Sequence, residues 1–209
     1  MILHQIILFW SLMAAVTGFS KPEVDTTNAG PKPPLKWIVE KTSTLRVAGK
    51  SNVNEFNCDI AGYYQPDTIF CSDDGGSGSA VKLSGCLEIE VFKFDCHSRM
   101  ITNDLRKTLK AEDHPKLSIR FLSLDRIPTL STNTQNMKGW VEVELAGIRK
   151  AFQVSYEFVN KGSSIFLLNG TRVFCFSDFK LTAPRKLGGA IQIKDEFRVD
   201  FKLRLNGID

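Results

Sequence analysis

Residues 190–207 read AIQIKDEFRVDFKLRLNG, and their second half alternates strictly between apolar and charged side chains. From Phe197 to Leu205 every second residue is apolar, and each residue between them is charged. Successive side chains of a strand point to opposite faces, so this period of two predicts a strand with one buried and one solvated face. Antiparallel sheets commonly show this alternation, whereas fully buried parallel sheets do not. The segment therefore predicts an all-β protein built from antiparallel strands.

The same alternation recurs through most of the chain. It is visible in residues 36–64, 80–96, 116–127, 137–159, 163–170 and 172–181. The connections are short and carry Gly, Asn or Pro, as expected between neighbouring antiparallel strands. Many short strands with one apolar face each predict an antiparallel, lipocalin-like barrel of about eight strands, a size that can enclose one small ligand.

One segment departs from the β pattern. Residues 100–121 read MITNDLRKTLKAEDHPKLSIRF. Ile101, Leu105 and Leu109 recur at intervals of four, which indicates one apolar stripe on a helix. Pro115 then stops the helix, and a strand follows. We expect this short helix to cover one end of the barrel, with Leu105 and Leu109 facing the interior or its rim.

Polar residues of this segment suggest how the helix begins and what its outer side does. Thr102 or Asn103 is expected to cap the helix start. Arg106, Lys107 and Lys110 form a basic face. A basic face is usually just solvated, but at a barrel mouth it would meet an anionic head group. The sequence leaves both interpretations open.

The N-terminal part is expected to be separate from the barrel. An apolar run from Ile6 to Ser20 has the length of a secretory signal, so residues 1–20 are predicted to be a signal peptide. Residues 21–34 are rich in Pro and polar residues and are predicted to be a disordered linker. The barrel domain is then predicted to span residues 35–209, in a periplasmic or secreted protein without a stable transmembrane anchor.

Several function classes find little support in the sequence. The net charge is +4, and the basic residues are scattered among acidic ones, so we expect no nucleic-acid partner. The five cysteines contain no C-x-x-C and histidine is scarce, so we expect no metal site. A Cys96 or His97 nucleophile–base pair lacks the other members of a catalytic site. We therefore expect a protein that is not an enzyme.

Four motifs occur in the order found in one known family. They are residues 37–58 (WIVEKTSTLRVAGKSNVNEFNC), the helical segment 100–121, the turn AGIRK at 146–150, and the closing segment 176–206. Together they resemble the YceI-like family of lipocalin-like polyisoprenoid-binding proteins, and within it the Bacteroidetes-type branch. The chain departs from the family pattern at Arg149, where relatives have Thr, and at Pro184, where relatives often have two prolines.

The resemblance implies an apolar tunnel that holds an isoprenoid-type lipid, such as a polyprenol or a quinone tail, with no other cofactor. Alternation gives the interior candidates for this ligand, to which the two helical leucines are added. They are Phe56, Phe92, Phe94, Leu105, Leu109, Phe121, Phe152, Val154, Tyr156, Phe197 and Phe201. Periodicity alone fits a filled core equally well, so the alternative is a structural or interaction module of the cell envelope. A homodimer remains open.

The resemblance also suggests how the cysteines pair in an oxidising compartment. Cys58 and Cys96 end two family-like strands and are expected to form a disulfide. Cys71 and Cys86 flank the Gly- and Ser-rich loop 72–80 and are expected to pair next. This leaves Cys175, which is predicted to be unpaired and buried.

Overall fold

The structure is a computed structural model, and it describes residues 34–61, 63, 65–72, 80–129, 131 and 133–208. The predicted signal peptide, and the predicted linker up to residue 33, lie outside the described residues. Strands make up most of the described chain. They are β1 (Leu35–Val39), β2 (Thr44–Ser51), β3 (Glu55–Ala61), β4 (Thr68–Ser72), β5 (Val81–Ser84), β6 (Cys86–Glu90), β7 (Lys116–Leu124), β8 (Gln135–Leu145), β9 (Ile148–Gly162), β10 (Ile165–Cys175), β11 (Arg185–Lys186) and β12 (Ile191–Ile208). The helix α1 spans Arg99–Thr108, between β6 and β7.

The strands close into an antiparallel barrel with eight positions. Three positions are each shared by two consecutive strands: β1 with β2, β3 with β4, and β5 with β6. The other positions belong to β7, β8, β9, β10 and β12. β12 closes the ring by pairing with β10 on one side and with both β1 and β2 on the other. The predicted all-β barrel with one short helix is therefore confirmed.

The period of two decides which side chains enter the barrel. On β9, Phe152, Val154, Tyr156 and Phe158 are buried, while the residues between them are exposed. β12 buries one face in the same way over its C-terminal half. The rings meet across strands: the Phe152 and Phe174 centroids lie 4.8 Å apart in an edge-to-face arrangement. Such contacts add to the stabilisation that burial of the rings provides.

A glycine on β10 lets the wall of the barrel approach an aromatic ring. Gly170 pairs with Phe201 of β12, and a Cβ placed on Gly170 would lie only 2.0 Å from the ring carbon Cζ. The same relation holds between Gly49 and Phe56 on β2 and β3, at 2.5 Å. Each ring therefore lies over the backbone of the neighbouring strand, in space that any other residue would fill.

Helix α1 begins earlier than the sequence predicted. Its N-cap is Ser98, so neither Thr102 nor Asn103 caps the helix. Thr102 lies inside the helix and is buried, and its Oγ1 accepts a hydrogen bond from the backbone N–H of Cys96 at 3.0 Å. The hydroxyl therefore ties the helix to the segment before it. Leu105 and the residue that follows the helix, Leu109, are buried.

One of the three expectations for the cysteines is confirmed. Cys58 and Cys96 form the predicted disulfide. The predicted bridge between Cys71 and Cys86 is wrong, because Cys71 is buried inside the barrel whereas Cys86 lies on the outward face of β6, beside inward-pointing Leu87. Cys175 forms no disulfide, but it is half-buried on the outer side rather than buried as predicted.

Candidate ligand site in the barrel

A small apolar cavity lies between α1 and the barrel end beneath it. Its volume is about 70 Å³, and every residue that lines it is apolar. Leu105 and Leu109 form the helix side. The barrel side includes a group of phenylalanines: Phe94, Phe174, Phe176, Phe179 and Phe197. The helix thus closes a chamber whose walls offer only apolar contact to a ligand.

A second and smaller void lies deeper in the barrel. Its volume is about 20 Å³, and Ile60, Phe121 and Phe201 contribute to its walls. Leu45 and Ile119 line both cavities, so these two side chains separate them. Both volumes are far below the roughly 300–1,000 Å³ typical of small-molecule pockets. In this conformation the barrel is filled mostly by its own side chains.

The structure brings some of the predicted site residues to these cavities. Phe94, Leu105, Leu109 and Phe197 line the larger one, and Phe121 and Phe201 line the smaller one. Three further residues, Phe152, Val154 and Tyr156, are buried in the barrel without lining either cavity.

Two predicted residues occupy other environments. Phe56 is half-buried over Gly49. The interior position predicted for Phe92 is wrong: it lies in the 3-10 turn Val91–Lys93, where the alternation of a strand does not apply, and 42% of it is exposed.

The sequence reasoning missed two cavity residues that follow β10. Phe176 and Phe179 lie in a 3-10 turn, where residues three apart point the same way. Both are buried and both line the larger cavity. Their spacing of three indicates a turn, whereas the strand predicted over residues 172–181 places these two rings on opposite faces.

Arg172 is an inward-facing charged residue of β10 that the sequence reasoning also missed. The β9–β10 pairing ends at Thr171 and Ser155, and Arg172 follows directly. Its guanidinium carbon lies 4.9 Å from the Phe152 ring centroid, and its Nη1 donates to the backbone oxygen of Gln153 at 2.5 Å. The side chain therefore fills the place where the two strands separate, with cation–π contact on its apolar neighbours.

Tyr156 places a polar atom in the barrel core. Its hydroxyl is buried and has no hydrogen-bond partner among the described residues. Burial raises the pKa of the Tyr156 phenol above its ordinary value, so the group stays neutral. A buried hydroxyl without a partner costs about 1–3 kcal/mol of stability.

We expect Tyr156→Phe to stabilise the ligand-free protein by about 1 kcal/mol, because it removes a desolvated hydroxyl and keeps the ring. Urea unfolding should show a higher midpoint with an unchanged slope. The matched control is Tyr63→Phe. The Tyr63 hydroxyl donates to the Asp67 carboxylate and accepts from the Glu88 N–H at 3.3 Å, so its loss should destabilise. Equal effects of the two variants would contradict this account.

Polar contacts hold α1 in place from both sides. Arg106 donates through Nη2 to the backbone oxygen of Phe92 at 2.7 Å. On the other side, Lys186 of β11 forms an ion pair with Asp104 at 2.5 Å. The disulfide fixes Cys96, two residues before the N-cap. The helix is thus attached at its start and along both flanks, and its Leu105 and Leu109 side chains lie above the apolar chamber.

The residues of the weaker enzyme hypothesis have structural partners. Cys96 is in the disulfide and therefore offers no thiolate. The Nε2 of His97 lies 3.0 Å from Asp59, which also receives a 2.6 Å hydrogen bond from Arg46. The Arg46 contact is the main reason that the pKa of Asp59 is lowered. Within the described ranges, no group of His, Cys, Asp and Glu is arranged to hold a metal ion. Nor does any helix there have the length and apolar character needed to cross a membrane.

Comparison with known proteins gives structural but not sequence matches. No family model and no curated protein matches the chain. The solved structure of BcnA from Burkholderia cenocepacia is similar with a TM-score of 0.57 and 14% identity, over 78% of this chain and 95% of that one. A polyisoprenoid-binding domain from Saccharophagus degradans, implicated in plant cell wall breakdown, gives 0.56 and 10%, over 83% and 99%.

A variant of the Campylobacter jejuni YceI protein gives a TM-score of 0.49 at 15% identity, over 72% of this chain and 86% of that one. That score is too low to support a conclusion. The first two similarities confirm the barrel fold that the resemblance to the YceI-like family implied. The Bacteroidetes-type branch stays a prediction.

Proposed function

We propose that this chain is an exported, non-enzymatic lipid-binding protein of the YceI-like type, with an isoprenoid-type lipid as its ligand. The apolar chamber under α1 carries this proposal, because its walls suit a hydrocarbon tail and exclude charged substrates. The barrel shares its fold with a domain that is described as polyisoprenoid-binding. Burial of a prenyl tail is favourable by about 25 cal/mol per Å² of apolar surface, without a charged anchor.

Binding a tail of several isoprene units requires the filled barrel to make room. Leu45 and Ile119 separate the two cavities, so a change of rotamer at these positions would join them. Outward movement of the C-terminal part of α1 would enlarge the chamber further, because Leu105 and Leu109 face only apolar side chains there. The lipid tail would then make the apolar contacts that the side chains make with each other in the filled barrel. Specificity would therefore depend on the length and shape of the tail.

The unpartnered Tyr156 hydroxyl favours a ligand with one polar group. Tyr156 lines neither cavity, but its ring packs on Phe201, which lines the smaller one. If the ligand displaced Phe201, its quinone carbonyl or polyprenol hydroxyl would accept the Tyr156 hydrogen bond and remove the cost of burying this hydroxyl alone. We propose a polyprenol or a quinone over a pure hydrocarbon for this reason.

A second candidate function follows from the small cavity volumes. A barrel that remains filled would act as a structural or interaction module of the cell envelope. Under this alternative the 70 Å³ void is an ordinary packing defect. The protein would then bind no lipid, and a substitution that fills the void would change no binding activity.

A cavity-filling variant separates the two functions. We expect the purified full-length chain to release a prenyl lipid in native mass spectrometry followed by lipid extraction. Titration with a short-chain prenyl quinone should quench the fluorescence of Trp37, which is buried in the core. Val143 lines the larger cavity, so Val143→Phe should weaken quinone binding by about tenfold or more while the barrel stays folded.

The matched control is Val173→Phe, at a position that is 53% exposed, and it should bind like the parent. Thermal unfolding of both variants checks that each is folded. Absence of bound lipid and of quinone binding in the parent protein would overturn the proposed function and support the filled barrel.

A further inference from the structure

Three large apolar side chains are exposed around the outer side of α1. Met100 is 65% exposed on the helix itself, and Leu187, in the turn after β11, is 78% exposed. Phe92 lies on the opposite flank, where the Arg106 guanidinium sits 5.6 Å from its ring centroid. The ion pair of Lys186 with Asp104 places the Leu187 turn against the other flank. The three residues therefore surround one helix at one end of the barrel.

Basic residues occupy the outer face of the same helix. At 100° per residue, Arg99, Met100 and Lys107 point to the same side of α1, opposite buried Leu105, and Lys110 is exposed two residues after the helix ends. None of these three cations has an ion-pair partner among the described residues. The acidic side chain within α1, Asp104, is already paired with Lys186. Two exposed acidic residues, Glu112 and Asp113, follow in the next turn and reduce the local excess of positive charge.

The backbone holds Leu187 in an unusual conformation. Its φ of 50° lies in the left-handed region, which is unfavourable for a residue with a Cβ. Gly188 and Gly189 continue the turn with φ of 65° and 100°. This turn presents the Leu187 side chain to solvent, where 78% of it is exposed.

The outer face of the barrel wall is different. There the charges of β2, β3 and β12 form ion pairs with each other, as in Arg46–Asp59, Lys50–Glu55 and Arg198–Asp200. Within the described part of the chain, unpaired cations beside exposed apolar side chains also occur on the wall, as at Lys138 and Trp140 of β8, but the α1 end gathers three cations and three apolar side chains around one helix. We call this surface the lid face and define it by Phe92, Arg99, Met100, Lys107, Lys110 and Leu187.

We propose that the lid face docks the protein onto an anionic phospholipid membrane. The cations contact lipid phosphates, and Phe92, Met100 and Leu187 enter the interfacial layer. Exposed apolar groups beside basic residues on a helix are the combination that binds such surfaces. Docking places the chamber under α1 directly against the bilayer, where an insoluble tail can pass without crossing water. The purpose of docking rests on the proposed function, whereas the docking itself does not.

Vesicle sedimentation with the full-length chain tests the proposal. We expect binding to phosphatidylcholine vesicles that contain about one third phosphatidylglycerol, and little binding to pure phosphatidylcholine. Raising the salt from about 0.1 M to about 1 M should release the protein, because it shortens the screening length. Lys107→Glu with Lys110→Glu should weaken binding by about tenfold or more. Met100→Asp with Leu187→Asp should weaken it by about tenfold as well.

Matched controls lie on the barrel wall. Lys138→Glu with Lys202→Glu makes the same change of net charge at exposed positions of β8 and β12, and Trp140→Asp with Val173→Asp makes the same apolar-to-acidic change on β8 and β10. Both should bind vesicles like the parent chain. If the chain does not bind anionic vesicles, or if the control variants lose as much binding as the lid-face variants, the proposal that the lid face docks onto the membrane is overturned. Quinone titration without vesicles reports the proposed function separately, so either can fail alone.

Discussion

Replacing Gly170 with valine is expected to lower the free energy of unfolding by about 3 kcal/mol, at the upper end of the overpacking range. The Cβ of any other residue would lie 2.0 Å from Cζ of Phe201, so the ring has to move. Phe201 is buried, and its ring centroid lies 5.8 Å from that of Tyr156 in an edge-to-face contact. Displacing it disturbs the centre of the barrel. Urea unfolding, followed by tryptophan fluorescence, measures the loss.

A double-mutant cycle tests whether this ring is the cause. Phe201→Ala should itself destabilise by roughly 3–5 kcal/mol, since it removes a buried ring. In that background Gly170→Val should cost little, because no ring opposes the new side chain. The coupling between the two changes should then be several times the roughly 0.3–0.5 kcal/mol expected of independent sites. Additive effects would show that strand geometry, rather than contact with the ring, requires the glycine.

Removing the disulfide is expected to have an equally large effect. Cys58→Ala with Cys96→Ala should lower the free energy of unfolding by about 4 kcal/mol, because the bridge closes a loop with a sequence separation of 38 residues in the unfolded chain. Alanine is chosen because both positions are buried, and serine would add a hydroxyl without a partner. The unfolding midpoint of the variant should match that of the parent protein under reducing conditions.

Cys175→Ala is the control for this change. Cys175 is half-buried and forms no disulfide, so its loss should change stability by less than about 0.5 kcal/mol. A large effect of reductant on the variant without the bridge would contradict the assignment, because no disulfide remains there to be reduced.

Sequence reasoning succeeded wherever the backbone is extended. The period of two placed Phe152, Tyr156 and Phe201 inside the barrel, and all three are buried. It failed where short 3-10 turns replace the strand: Phe92 is exposed although Phe94 is buried, and Phe176 and Phe179 are both buried although they are three residues apart. Whether a residue belongs to a strand or a turn depends on pairing with distant strands, which a local pattern does not contain.

The cysteine error had an available remedy. Their position on either side of one loop suggests a bridge between Cys71 and Cys86, but the alternation of each strand excludes it: Cys71 shares the inner face with Ile69, whereas Cys86 lies on the face opposite Leu87. No comparable pattern in the sequence indicates the volume of the cavity. Inward-facing residues are the same in a filled and a hollow barrel, and the difference depends on how rings from several strands fit together.

Closure of the ring by β12 has a consequence for the growing chain. Pairs such as β8 with β9 join strands that are adjacent in the sequence, whereas β1 and β2 find their second partner only in the last strand, as in the pairing of Trp37 with Gly207. Contacts so distant in sequence form late and slowly. Until β12 has left the ribosome, the nascent polypeptide is an open sheet with unpaired edges, available to chaperones and to other nascent chains.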